Sequence, residues 1–72
     1  MARLRVLSGR EIRRILTKNG FSVVRRRGSH VIMRKPVPGA TITVPVPDHK
    51  ELRTGTLMSI IRQSGLPREL FE

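Results

Sequence analysis

The stretch from Arg25 to Lys35 reads Arg-Arg-Arg-Gly-Ser-His-Val-Ile-Met-Arg-Lys, and a chain with these words at its centre has few folds open to it. Phe21-Ser-Val-Val-Arg-Arg-Arg is aromatic and β-branched, as a strand should be. His30-Val-Ile-Met-Arg-Lys returns after a Gly28-Ser29 turn. The two halves predict an antiparallel hairpin that carries five cations and one histidine. A lone hairpin is marginal in water, so its apolar side has to lie against something else.

The flanks supply that cover. Ser8 followed three residues later by Glu11 is the pattern of a capping box, in which each side chain satisfies a free amide of the first helical turn. Ile12, Ile15 and Leu16 then fall on one stripe of a helix that runs to about Lys18, and Asn19-Gly20 ends it. Arg10, Arg13, Arg14 and Lys18 occupy its other side. Pro36, Pro38 and Gly39 break the pattern after the hairpin. Thr41-Ile-Thr-Val then predicts a third strand with Ile42 and Val44 on one face, stopped by Pro45 and Pro47. After the polar connection Asp48-His-Lys-Glu-Leu-Arg, Thr54 is the expected cap of a second helix. Leu57, Ile60 and Ile61 form its apolar stripe and Gly65 its end. Pro67 suits the start of a last short turn, with Phe71 folding back as a core plug. The expectation is an α+β fold in a single domain over residues 1–72, ordered α-β-β-β-α, a three-stranded antiparallel sheet with both helices on one face. Strand parity puts His30 on the side of Ile32. The apolar Ile32 makes that side a candidate core side, so the pattern leaves the direction of His30 open.

Charge narrows the partners. Fifteen Lys and Arg against five acids give a net charge of +10, and twelve of the fifteen are arginine. Arginine forks match phosphate oxygens in a way that lysine does not. Such an excess on a small domain points to nucleic acid, an acidic protein or an anionic surface. With Phe21 and Phe71 the only aromatics, bases would find almost no stacking platform, so contacts to phosphate and to shape should dominate. No apolar run reaches the ~18 residues of a membrane span, the first residues lack the apolar core of a signal peptide, and there is no cysteine. A soluble cytoplasmic protein without a membrane role is expected.

Several words in this order resemble the HicA toxin family of bacterial toxin–antitoxin systems. They are Ser8-Gly-Arg-Glu, Asn19-Gly-Phe21, Arg27-Gly-Ser-His30, Val44-Pro-Val-Pro47, His49-Lys-Glu-Leu, Gly55-Thr-Leu57 and Ile60-Ile-Arg-Gln-Ser-Gly-Leu66, and they span nearly the whole chain. The resemblance implies the fold of a double-stranded-RNA-binding domain and a toxin that cleaves mRNA. It also implies an acidic HicB-like antitoxin that covers the active site. The family's functional histidine, preceded by Gly-Ser, falls on His30, with Gly28 and Ser29 as its supporting turn. Some members carry two adjacent histidines where this chain has His30-Val31, and many place an aromatic at Met33. The free toxin is expected to be a monomer.

The residues themselves suit such chemistry. RNA carries its own nucleophile, the 2′-hydroxyl, so cleavage needs a base for that proton and cations for the charge that builds on phosphorus. Histidine, which ordinarily titrates at about pH 6.5, fits the first task. Arg25, Arg26, Arg27, Arg34 and Lys35 flank His30 and fit the second. Lys50 and Arg53, just before the second helix, make its amino end another candidate for phosphate. His49 is a candidate general acid if the fold brings it near His30. Asp48, His49 and Glu51 invite a metal reading, but adjacent loop residues rarely converge on one ion, so neither metal nor cofactor is expected. Two other readings stay open on the residues alone. One is a non-catalytic RNA-binding module of the same fold, and the other is an interaction subunit whose charge serves only an acidic protein.

Overall fold

A computed structural model describes residues 4–72. The order is α1 (Gly9–Lys18), β1 (Ser22–Arg27), β2 (His30–Val37), β3 (Ala40–Pro47) and α2 (Thr54–Ser64), closed by a 3-10 turn at Arg68–Phe71. The strands form one antiparallel sheet in the order β1-β2-β3. This is the α-β-β-β-α layout of a double-stranded-RNA-binding domain. Among the described residues no helix is long and apolar enough to cross a membrane.

The capping box at α1 is formed: the Glu11 amide donates to Ser8 Oγ at 3.0 Å, and the Ser8 amide donates to Glu11 Oε1 at 3.0 Å. The helix stops where Gly20 takes a φ of 97°, a conformation that favours glycine. At α2 the expected cap moves by one residue. The Leu57 amide bonds the Arg53 carbonyl at 3.0 Å, so the first turn closes on Arg53 and Thr54 is already helical. Neither Arg53 nor Thr54 places a side chain over the first amides. Gly65 ends the helix with a φ of 70°, as expected.

The prolines end the strands less sharply than the sequence suggests. β2 continues through Pro36 to Val37, and β3 through Pro45 to Pro47. β1 pairs with β2 only as far as Arg34, so Pro36 lies on a stretch bonded on one side alone. β3 is an edge strand, where a missing amide can face away from the ladder.

The sheet's alternation sorts its faces. Val31, Met33, Val44 and Val46 are buried beneath Ile12 and Leu16 of α1 and Leu57 and Ile60 of α2, with Leu7, Phe21, Leu52 and Phe71 completing the cluster. His30, Ile32 and Arg34 therefore point the other way, and the side suggested by Ile32 is not the core side. Ile32 is only half-buried. Met33 is fully buried under the helices, so an aromatic side chain at this position would extend the core and would not meet a base on the open face.

The connection from Asp48 to Arg53 is polar in sequence but holds the fold together. The Gly9 amide donates to the His49 carbonyl at 2.9 Å, and the Leu52 amide donates to the Leu7 carbonyl at 2.9 Å. Gly9 sits so close to β3 that an added Cβ would fall on the carbonyl oxygen of Pro47. Gly9→Ala should therefore destabilise the protein by about 1–3 kcal/mol, the usual range for overpacking. Gly55→Ala, with nothing within 4 Å of its new methyl, should stabilise it by about 0.4–1 kcal/mol. Urea unfolding midpoints check the pair, and equal midpoints would mean that the Gly9 contact relaxes freely.

Candidate nucleic-acid interface

Strand register builds the site. Arg27, His30 and Pro47 stand in one rung across the sheet, and Arg25, Ile32 and Pro45 in the next. Directly opposed residues share a face, so Arg27, His30, Arg25, Ile32 and Pro45 present their side chains on the side away from the helices, while Pro47 at the strand end is buried. Gly28 turns the chain with a φ of 57°, which lets β2 begin at His30 with only two residues between the strands. Arg27, Gly28, His30, Ile32 and Pro45 line one shallow depression. It combines an exposed imidazole and guanidinium with the apolar surfaces of Ile32 and Pro45. Sequence reasoning did not single out Ile32 and Pro45 for this site, because their neighbourhood depends on the cross-strand register.

The expected cations divide between the two faces. Arg25, Arg27 and Arg34 share the face of His30 and are exposed. Arg26 pairs with buried Val31 and so projects toward the helix side, where its Nη1 donates to Asp48 Oδ2 at 2.9 Å. Lys35 also lies on that side, with Nζ 5.8 Å from the centre of the Phe21 ring, a cation–π contact. Arg53 lines a second depression with Pro47, His49, Glu51, Leu52 and Thr56, while Lys50 is exposed in the loop beside it. The two depressions share no lining residue, yet Pro47 of the second stands opposite His30 in the β2–β3 ladder. Among the described residues no three His, Asp or Glu side chains gather as a metal-ligand set.

Asp48 is the residue that sequence reasoning undervalued. Its carboxylate receives Arg13 Nη1 of α1 at 2.9 Å on Oδ1 and Arg26 on Oδ2, while its own amide donates to the Ser29 carbonyl at 2.7 Å. The hydrogen bond from Arg26, then that from Arg13, holds its carboxyl below the usual carboxylate range. Its rarity was the available signal: five acids among fifteen cations leave each acid many suitors.

The profile described as HicA toxin of bacterial toxin–antitoxin matches residues 9–66 of the 72-residue chain. The chain belongs to the HicA toxin family. No curated protein matched it. The HicA family is the toxin side of bacterial toxin–antitoxin systems, which implies an antitoxin partner. The matched segment contains both helices, all three strands and Asp48, and the 3-10 turn with Phe71 follows it.

Acid should weaken this HicA fold in a traceable way. Asp48 is held low by the two arginines, and Glu11 by the Ser8 backbone amide and then the Ser8 side chain. A carboxylate whose folded pKa lies below its unfolded value stabilises the fold above the unfolded value of about 4, and that contribution is lost as pH falls through the folded pKa. The stability gap between wild type and a Glu11→Gln/Asp48→Asn variant should be full at pH 6 and shrink progressively as pH falls below about 4. Urea midpoints across that range check it, and a gap independent of pH would contradict the assignment.

Proposed function

We propose that the protein is an mRNA-cleaving endoribonuclease, the toxic activity of its toxin–antitoxin pair, with His30 as general base. The observation that carries this reading is the placement of His30 in one rung with Arg27, with Arg25 in the next rung and Arg34 farther along β2, on the face left open by the helices. The neutral imidazole takes the proton of a 2′-hydroxyl, the 2′-oxygen attacks the adjacent phosphorus, and the bond to the 5′-oxygen breaks. The leaving oxygen takes its proton from water. The products are a 2′,3′-cyclic phosphate and a 5′-hydroxyl. Arg25, Arg27 and Arg34 oppose the charge that grows on the phosphate oxygens, and Ile32 with Pro45 offers the sugar an apolar surface. Lys50 and Arg53 hold the strand farther along. No metal takes part in these steps.

A HicB-like acidic antitoxin is the partner this surface suits, since it would cover the arginines and the imidazole together and so block binding and cleavage at once. The free toxin acts as a monomer in the cytoplasm. A second reading, an RNA-binding module without catalysis, draws on the lining of the depression: apart from His30 and Arg27 it holds Gly28, Ile32 and Pro45, with no second acid–base side chain.

The deciding experiment follows labelled RNA with the purified protein in EDTA, wild type beside His30→Ala. Cleavage should survive the chelator and fall by about 10²–10⁴-fold in the variant, the usual contribution of one positioned imidazole, while RNA binding persists. Loss of cleavage in EDTA would sink the metal-free route, and undiminished cleavage by His30→Ala would sink the base. Binding without cleavage by the wild type would favour the second reading. Five single-stranded phosphate contacts, at Arg25, Arg27, Arg34, Lys50 and Arg53, would give a slope of log affinity on log salt of about −3.5.

A further inference from the structure

β1 is the least anchored strand of the fold. All six of its residues are exposed, including Val23 and Val24, and among the described residues β2 is the only strand it pairs with. A bulge between Val23 and Arg25 further interrupts that ladder. The turn before His30 is held on its far side by the pairing of His30 with Pro47 and by buried Val31, but on its β1 side it has almost no apolar hold. On that side Asp48, from the loop after β3, supplies the tie. The Asp48 amide reaches the Ser29 carbonyl, one residue before His30, at 2.7 Å. Its carboxylate ties Arg26, one rung from the Arg27–His30 pair, to Arg13 on α1, both at 2.9 Å.

We infer that Asp48 is a positioning residue for His30: it clasps the end of the β1–β2 hairpin to α1 and so fixes the imidazole against the arginines of the open face. The inference rests on the reading of His30 as the base. It gives Arg26 a different task from its neighbours, since Arg26 is held on the helix side by the clasp while Arg25 and Arg27 face the substrate. The clasp also occupies two guanidinium groups and offsets one of their two charges. Removing the carboxylate would loosen the turn and release two cations at once, with opposite effects on catalysis and on binding. A residue that only stabilised the fold would lower both together.

That divergence is the test. Single-turnover cleavage is measured at saturating protein, and affinity is measured with a 2′-O-methyl RNA of the same sequence, which lacks the nucleophile. For Asp48→Asn, the cleavage rate at saturation should fall by about 10–100-fold, the scale of a misplacement of about 1 Å. Affinity should hold or rise, and the salt slope should steepen by up to about 1.4, the contribution of two newly available cations on a single strand. Asp48→Glu, which keeps the charge, should recover part of the rate. A melting curve confirms that each variant is folded at the assay temperature.

An unchanged rate in folded Asp48→Asn would overturn the inference, and so would a parallel fall in rate and affinity. Should Asp48→Asn not fold, Arg26→Met replaces it, because that side chain is 54% exposed and its loss opens one arm of the clasp alone. Its rate should fall several-fold with the salt slope unchanged, and an undiminished rate would likewise overturn the clasp. His30→Ala, run beside these variants, separates the two ideas. If it cleaves like wild type, the assignment of the base fails. If it is inactive while the clasp variants cleave normally, only the role of Asp48 fails.

Discussion

Three backbone hydrogen bonds converge on the loop after β3, and most of the fold depends on them. The Asp48 amide meets Ser29 in the hairpin turn, the His49 carbonyl receives Gly9 at the head of α1, and the Leu52 amide meets Leu7. They bring together the incoming segment, the turn that bears His30 and the lead into α2. Buried amides and carbonyls have to be paired somewhere, and here their pairing also fastens α1 to the sheet. Leu52 then adds an apolar side chain to the core from a loop that is otherwise polar. The close approach of Gly9 to Pro47 follows from the same convergence.

Much of this architecture is legible in the residues. The capping box, the glycine stops and the apolar stripes at Ile12 and Leu16 and at Leu57 and Ile60 obey local rules, and local rules depend on neighbours in sequence. The strand ends were less legible, because Pro36 and Pro45 are tolerable only when the neighbouring edge is bare, and that is a property of the whole sheet. The face of His30 had the same difficulty. A strand that reads Val-Ile-Met is apolar on both sides, so its alternation does not say which side is covered. Register across three strands decided it, and brought Ile32 and Pro45 beside the imidazole. Asp48 was hard to weigh because its partners Arg13 and Arg26 lie 35 and 22 residues away.

The two faces of the sheet carry separate burdens. On the covered face, close packing of Met33 and the valines leaves little freedom for change. On the open face, Arg25, Arg27 and Arg34 are exposed and lie outside the core cluster. The two burdens meet at Arg26 and Asp48, where a strand without apolar anchorage is held by charge. Ionic contacts between exposed groups are individually weak, so the hold on this turn also depends on the backbone bond to Ser29.

A three-stranded sheet leaves two edges unpaired, and bare edges invite other copies of the chain. β3 carries Pro45 and Pro47 along its length, which breaks any regular ladder that a second copy could form there. β1 has the bulge near Val24 and its run of three arginines. Two copies approaching along β1 would bring like charges together in a molecule that already carries +10. The barrier to such pairing is thus largely electrostatic, and a polyanion laid over those arginines would lower it. Val23 and Val24 would then lie on a quieter edge, so the chain is best protected from its own copies while its cations stand uncovered.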